Sequence, residues 1–241
     1  MREKDFHKDF YFFLDKVKNN EPFSLSRWGD GELLILEDKF IDLRNVKNGE
    51  FRYDPNVEEY SEVRKVLMDS YTAKDEGYYI GVACPCCVGQ DRYEYMKVRS
   101  QQDEDHLTWA NIFVNANYNL FMNNFVDEMN NHGIVMVVNN KANTIKLPFD
   151  VEKTYYVGTD AWYEDYSIIK QIKEDYKDSK NKVFLFAAGP FANMLTYELW
   201  FNMSKNNIYV DIGSTLDVQM GMKPTRGYHS GAPTIKKKCI W

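Results

Sequence analysis

Residues 24–33 read Ser-Leu-Ser-Arg-Trp-Gly-Asp-Gly-Glu-Leu. This short stretch holds an arginine, two glycines and two carboxylates. Asp30 and Glu32 stand two apart, so in an extended or turn conformation both point to one side. One or two carboxylates completed by substrate phosphates is the usual way Mg²⁺ or Mn²⁺ is held, because these hard ions keep waters and accept phosphate oxygens. Gly29 and Gly31 leave room for a ligand to approach the backbone around Asp30. Arg27 offers a fork of donors to a phosphate or carboxylate. The same residues also suit a plain strand-to-helix turn in which Asp30 or Glu32 caps the helix. The spacing leaves both readings open.

Other segments carry weaker signals. In Phe186-Ala-Ala-Gly-Pro-Phe-Ala-Asn a strand ends at Ala187, Gly189 turns, and Pro190 takes the first helical position, with Asn193 closing the segment. The free N–H groups of such a turn suit a phosphate or carboxylate. It is not a G-x-G-x-x-G, so the dinucleotide fingerprint is absent. Asp211-Ile-Gly-Ser-Thr-Leu-Asp217 offers Ser214 and Thr215 to a sugar or phosphate, and Arg226, Tyr228 and His229 can fold over a ligand as a tail. Each segment also reads as an ordinary turn or solvated loop. Cys84-Pro-Cys-Cys invites a zinc reading, but structural zinc takes four ligands, usually as two spaced pairs. No second pair exists, and the expectation is small residues closing a buried strand. His7 and His132 are expected at the surface. Trp109-Ala-Asn-Ile-Phe-Val-Asn-Ala-Asn-Tyr118 reads either as a sugar groove of aromatics and amides or as a helix packing Trp109, Phe113 and Tyr118 inward.

The elements that must position these residues alternate. Apolar spacing predicts helices over 5–18, 57–71, 117–131, 162–176 and 191–203. Short apolar or β-branched runs predict strands at 23–28, 78–83, 134–138, 154–158, 183–187 and 208–212. Strands alternating with helices imply an α/β, Rossmann-like fold: a mostly parallel sheet with helices on both faces. A chain of 241 residues without repeats or linkers is expected to be a single α/β domain over 1–241. Ligands of such sheets sit at the carboxyl ends of the strands, where every segment above is placed.

Composition narrows the classes. A net charge of −6 demotes a non-specific nucleic-acid binder. Aromatics at 15% rule out global disorder. No apolar run is long enough for a membrane span, and Met1-Arg-Glu-Lys-Asp-Phe lacks the apolar core of a secretory signal. Three of the four cysteines crowd into four positions, a poor disulfide layout that fits a reducing, cytoplasmic home. The basic run Lys236-Lys237-Lys238 is read as a solvated tail.

Arg27-Trp-Gly-Asp-Gly-Glu resembles the R-F-G-D-G-E opening of the GT-D type glycosyltransferases, bacterial and viral enzymes on a Rossmann-like sheet. Tyr79-Ile-Gly-Val, Ala187-Ala-Gly-Pro and Asp211-Ile-Gly-Ser are similar in kind, so the likeness spans roughly residues 20–230. Trp28 stands where a smaller aromatic is expected, and Cys84-Pro-Cys-Cys has no counterpart in that pattern. The resemblance implies hexosyl or pentosyl transfer from a UDP- or GDP-linked sugar to a glycan or glycoprotein acceptor, with Mn²⁺ or Mg²⁺ on Asp30 and Glu32. The donor-binding candidates are then Arg27, Trp28, Gly29, Gly31, Gly189, Pro190, Asn193, Ser214, Arg226 and Tyr228. If the anomer inverts, a carboxylate deprotonates the acceptor hydroxyl; Asp217 is the candidate and Asp160 its rival. A retaining mechanism needs neither. The same features also allow a metal-dependent phosphoryl- or nucleotidyl-handling enzyme, though without a Walker loop. A metal-free glycoside hydrolase and a non-catalytic sugar-nucleotide-binding module stay open too.

Overall fold

The structure, a computed structural model, describes residues 4–46, 48–230 and 237–241. Met1-Arg-Glu and Lys236 of the basic run lie outside the described residues. The strands are β1 (Phe23–Trp28), β2 (Ile41–Asp42), β3 (Arg52–Tyr53), β4 (Tyr78–Val82), β5 (Leu107–Trp109), β6 (Gly133–Asn139), β7 (Lys153–Val157), β8 (Lys182–Ala187) and β9 (Ile208–Asp211). Seven of them form one sheet in the order β5-β4-β1-β9-β8-β6-β7. Every neighbouring pair in that sheet is parallel. β2 and β3 pair antiparallel as a separate ribbon.

Alternation along each strand divides the core in two, as the period of a strand demands. Trp28, Ile80, Val82, Val135, Phe184, Phe186 and Tyr209 face one way, under the helices Glu59–Thr72, Ser167–Asp175 and Pro190–Asn202. Phe23, Leu25, Tyr79, Met136, Val138, Leu185 and Val210 face the other, under the helix Phe6–Lys18 and the helical turns of residues 115–131. The expected doubly covered parallel sheet is therefore observed. Most of the aromatic excess is spent here: Trp28, Trp109 and Trp162 are among the largest fully buried side chains.

Three local expectations change. Residues 107–109 form the edge strand β5 rather than the start of a helix, because Leu107 and Trp109 pair with Ile80 and Val82. Residues 118–131 keep the expected helix as one unbroken run, with a π-helical stretch at Phe121–Phe125 that stacks those two rings 5.2 Å apart. The helix expected over 162–176 is interrupted, because Asp165 turns its carboxylate back to accept the Gly158 N–H at 2.7 Å. His132 is not at the surface; its side chain is 3% exposed and pairs with Glu128 at 3.2 Å.

β1 is locked to the helix Pro190–Asn202 by a buried polar network. Asn193 Nδ2 donates to the Arg27 carbonyl at 2.9 Å and to Ser26 Oγ at 3.0 Å. Trp28 Nε1 donates to the same hydroxyl at 3.0 Å. Ser24 Oγ donates to the Thr196 carbonyl one helical turn on. Removing one partner from a buried pair leaves the other unsatisfied, at a cost of about 1–3 kcal/mol. Asn193→Ala is therefore expected to cost about 2 kcal/mol, a fall in Tm of about 4–8 °C for a chain of this size. Thermal unfolding measures it; a change under about 1 °C would mean that the amide does not hold the helix to β1.

Candidate functional site

The chain turns from β1 into the helix Asp30–Leu36 through Gly29. Glu32 reaches back so that its Oε2 accepts the Gly29 N–H at 3.0 Å. A Cβ on Gly29 would sit 3.2 Å from that oxygen, a tight contact that the flexible Glu32 side chain would have to relieve. Asp30 and Glu32 thus lie in the first turn of a helix rather than in extended chain, where positions two apart do not share a face. Both still reach the same space, because a helix start opens onto the strand ends.

A cleft of about 350 Å³ lies over the carboxyl ends of the sheet. Arg27, Gly29, Asp30 and Glu32 line it at the end of β1, Ala187 to Gly189 at the end of β8, and Asp211, Gly213, Ser214 and Asp217 at the end of β9. Asn139 at the end of β6 and Gly158 after β7 continue that rim. Asn48 and Glu50 close the cleft from the loop between β2 and β3, and Arg226 and Tyr228 from the C-terminal segment. Gly189 adopts φ +55°, a conformation glycine takes without strain, and it starts the helix Pro190–Asn202 at the cleft floor. Arg27 is fixed by its Nε–H to the Ala110 carbonyl and by Nη1–H to the Asp211 carbonyl at 3.3 Å, with its guanidinium over the Phe113 ring. Arg226 lies 3.6 Å from Glu50 and 3.5 Å from Ser214 Oγ. The hydroxyls of Ser214 and Tyr228 bond each other at 2.9 Å.

Five carboxyls, from Asp30, Glu32, Glu50, Asp211 and Asp217, face two guanidiniums across this cleft. Burial raises the proton affinity of three of them. Burial pushes Glu32 up to about 7, with the charges of Asp211, Asp30 and Glu50 adding to it. Burial raises Asp211 to about 6, against the pull of Arg27. Asp217 rises to about 7 for the same reason, although Asn48 Nδ2 donates to its Oδ2 at 3.1 Å. Hard carboxylate oxygens under mutual repulsion fit a divalent cation whose remaining ligands are phosphate oxygens and water. Among the described residues these carboxylates do not form a closed three-ligand cage.

The structure places several expected residues away from the cleft. Trp28 follows Arg27 on β1 and so points to the opposite face; it is fully buried against Tyr71, with ring centroids 4.5 Å apart. Trp109 is likewise core. Gly31 makes room for Phe51, whose ring would lie 3.2 Å from a Cβ there. Pro190 and Asn193 are buried inside the helix start, and Asn193 serves the β1 network. Asp160 accepts the Arg52 N–H and faces Arg44 at 4.0 Å, holding the β2–β3 ribbon in place. Asn48, Glu50 and Asp211 are cleft residues that were absent from the expected set. Asp211 alone had a signal, its place at a strand end.

The fold and cleft define a doubly wound α/β protein with an acidic, arginine-flanked cleft where its strand order reverses, the place where such sheets bind ligands. A family model of the GT-D fold-like domain matches residues 11–219, and the chain belongs to this GT-D-like family. Solved structures with the same fold include one described as a highly conserved domain of unknown function 1792 with a distinct glycosyltransferase fold. It is 14% identical, with a TM-score of 0.57, over 93% of this chain and 81% of that one. Another is a glycosyltransferase of the same domain type from Streptococcus sanguinis, at 17% identity and a TM-score of 0.52, over 93% and 84%. No curated protein matches.

The raised acids make a stability prediction. Each has a folded pKa above its unfolded value, so the native state binds more protons between about pH 4 and the raised values of about 6 to 7. Their contribution is present at low pH and lost as pH rises through that window. His229, lowered by burial, works the other way as one group against three. Tm is expected to fall from about pH 5 to pH 8, and Mn²⁺ to restore more of it at the higher pH. Thermal-shift curves with Asp211→Asn should show a smaller fall; an unchanged slope would separate the cleft acids from the effect.

Proposed function

We propose that the chain is a metal-dependent glycosyltransferase that moves a hexosyl or pentosyl group from a UDP- or GDP-linked sugar to a glycan or glycoprotein acceptor. One observation carries the reading: a carboxylate pair, two arginines and a helix start converge on a single cleft in a sheet of the GT-D-like family. The glycosyltransferase description of the structural neighbours supports it. Four free thiols fit a reducing, cytoplasmic setting.

The donor diphosphate is the ligand that this cleft's chemistry suits. Arg27, already anchored by two carbonyls, keeps donors free for phosphate oxygens. The N–H groups after Gly189 and the positive end of that helix face the same anion. Asp30 and Glu32 would hold Mn²⁺ or Mg²⁺, which neutralises charge on the leaving diphosphate when bound. Arg226 and the Tyr228 ring form the wall nearest the C-terminal segment and orient the donor from that side. Asp217 takes the acceptor proton if the anomer inverts. A carboxylate near pH 7 is matched to that task, being both ionised and basic enough at working pH. Asp160, turned to Arg52 and Arg44, is not placed to do so.

Purified protein with Mn²⁺ is expected to transfer or hydrolyse sugar from a member of a nucleotide-sugar panel, and EDTA to stop it. Asp30→Asn and Glu32→Gln should each lower the rate at least about 100-fold; retention in both would remove the metal from the account. kcat/KM is expected to rise with pH through about 7 as the Asp217 carboxyl ionises. Asp217→Asn should lose about 10²–10⁴-fold. A full rate in Asp217→Asn would instead point to a retaining route.

A further inference from the structure

β4 runs out into Cys84-Pro-Cys-Cys, three thiols that lack a second pair nearby in the chain. The structure brings the missing sulfur from the C-terminal segment. The Sγ atoms of Cys84, Cys86, Cys87 and Cys239 all lie within 4.8 Å of one another. No other group of three or more His, Cys, Asp or Glu side chains converges in this way among the described residues. We propose that these four cysteines form a tetrathiolate site for one structural zinc ion.

The donor set is the first reason. Four sulfurs around one point make the closed tetrahedral arrangement that selects zinc. Zn–S bonds of about 2.3 Å put tetrahedral sulfurs roughly 3.8 Å apart. Cys84 Sγ stands 2.8 Å from Cys86 Sγ and 3.3 Å from Cys87 Sγ, and all pairs fall below 4.8 Å. The spacing encloses one ion and leaves no room for a multi-iron cluster. The surroundings are the second reason. Asn111 Nδ2 donates to Cys239 Sγ at 2.8 Å and to Cys87 Sγ at 3.4 Å. Asn115 Nδ2 reaches Cys239 Sγ at 3.7 Å, and Lys237 Nζ lies 3.8 Å from Cys87 Sγ. Neutral thiols are weak acceptors and have little use for three such donors. Thiolates on a metal use them as the outer shell that offsets their charge. Binding displaces the four thiol protons to solvent.

The placement gives the ion a structural task. Trp241 packs on Trp109 and Tyr93, and the Ala116 N–H donates to the Lys237 carbonyl, so the C-terminal segment lies across the edge of the sheet. Cys87, Asn111 and Asn115 also line the cleft. Zinc at this point clamps that segment to the end of β4 and braces one cleft wall.

The test uses the full chain, purified without chelators or a metal-affinity tag. Elemental analysis should find about one zinc per chain. Cys86→Ser and Cys239→Ser should each retain less than about a tenth of it. Should those variants fail to fold, wild-type protein stripped of metal decides the matter. Titrated with Co²⁺, it should show thiolate-to-cobalt charge transfer and intense tetrahedral bands. No zinc together with no cobalt spectrum overturns the proposal, as does iron in place of zinc or a disulfide found by mass. Asp30→Asn should keep its zinc, which separates failure here from failure of the transferase reading.

Discussion

The amide of Asn193 joins the two halves of the cleft. It is fully buried, and its two donated hydrogen bonds end on Ser26 and on the carbonyl of Arg27. Those bonds fix where the helix Pro190–Asn202 begins relative to the last residues of β1. On one side of the bridge the chain turns through Gly29 into Asp30 and Glu32. On the other it turns through Gly189. A shift of the helix would move its N–H groups away from the guanidinium of Arg27, although no bond joins the two directly. The close packing of Trp28 on Tyr71 backs the same joint from below.

Much of this arrangement is legible in the sequence. The strands are continuous β-branched or aromatic runs, and the rule that ligands gather at strand ends puts Arg27, Gly189, Ser214 and Asp217 in one place before any coordinates are known. What is not legible has physical causes. Trp28 and Arg27 are neighbours on one strand, so they cannot serve the same face. Asn48 and Glu50 come from an irregular loop with no period to betray its direction. Asp160 follows a strand end, but its left-handed backbone turns it toward Arg52. Cys239 meets Cys84 only through tertiary packing across the sheet edge, and pairing spacings within Cys84-Pro-Cys-Cys carries no trace of it.

The acidity of the chain takes a local meaning. A net charge of −6 argues against polyanion partners in bulk, yet the cleft that suits a diphosphate is itself more acidic than basic. Two guanidiniums do not cancel five carboxyls, and burial keeps Glu32, Asp211 and Asp217 protonated to higher pH than usual, with neighbouring carboxylates adding to the shift at Glu32 and Asp217. A naked diphosphate entering this site would meet like charge at short range, in surroundings where water screens poorly. A diphosphate that arrives with its cation meets the opposite field, because the same carboxylates then count as ligands. On the proposed function, this excess of buried acid would act as a selector, disfavouring the free anion and favouring the ion-paired donor.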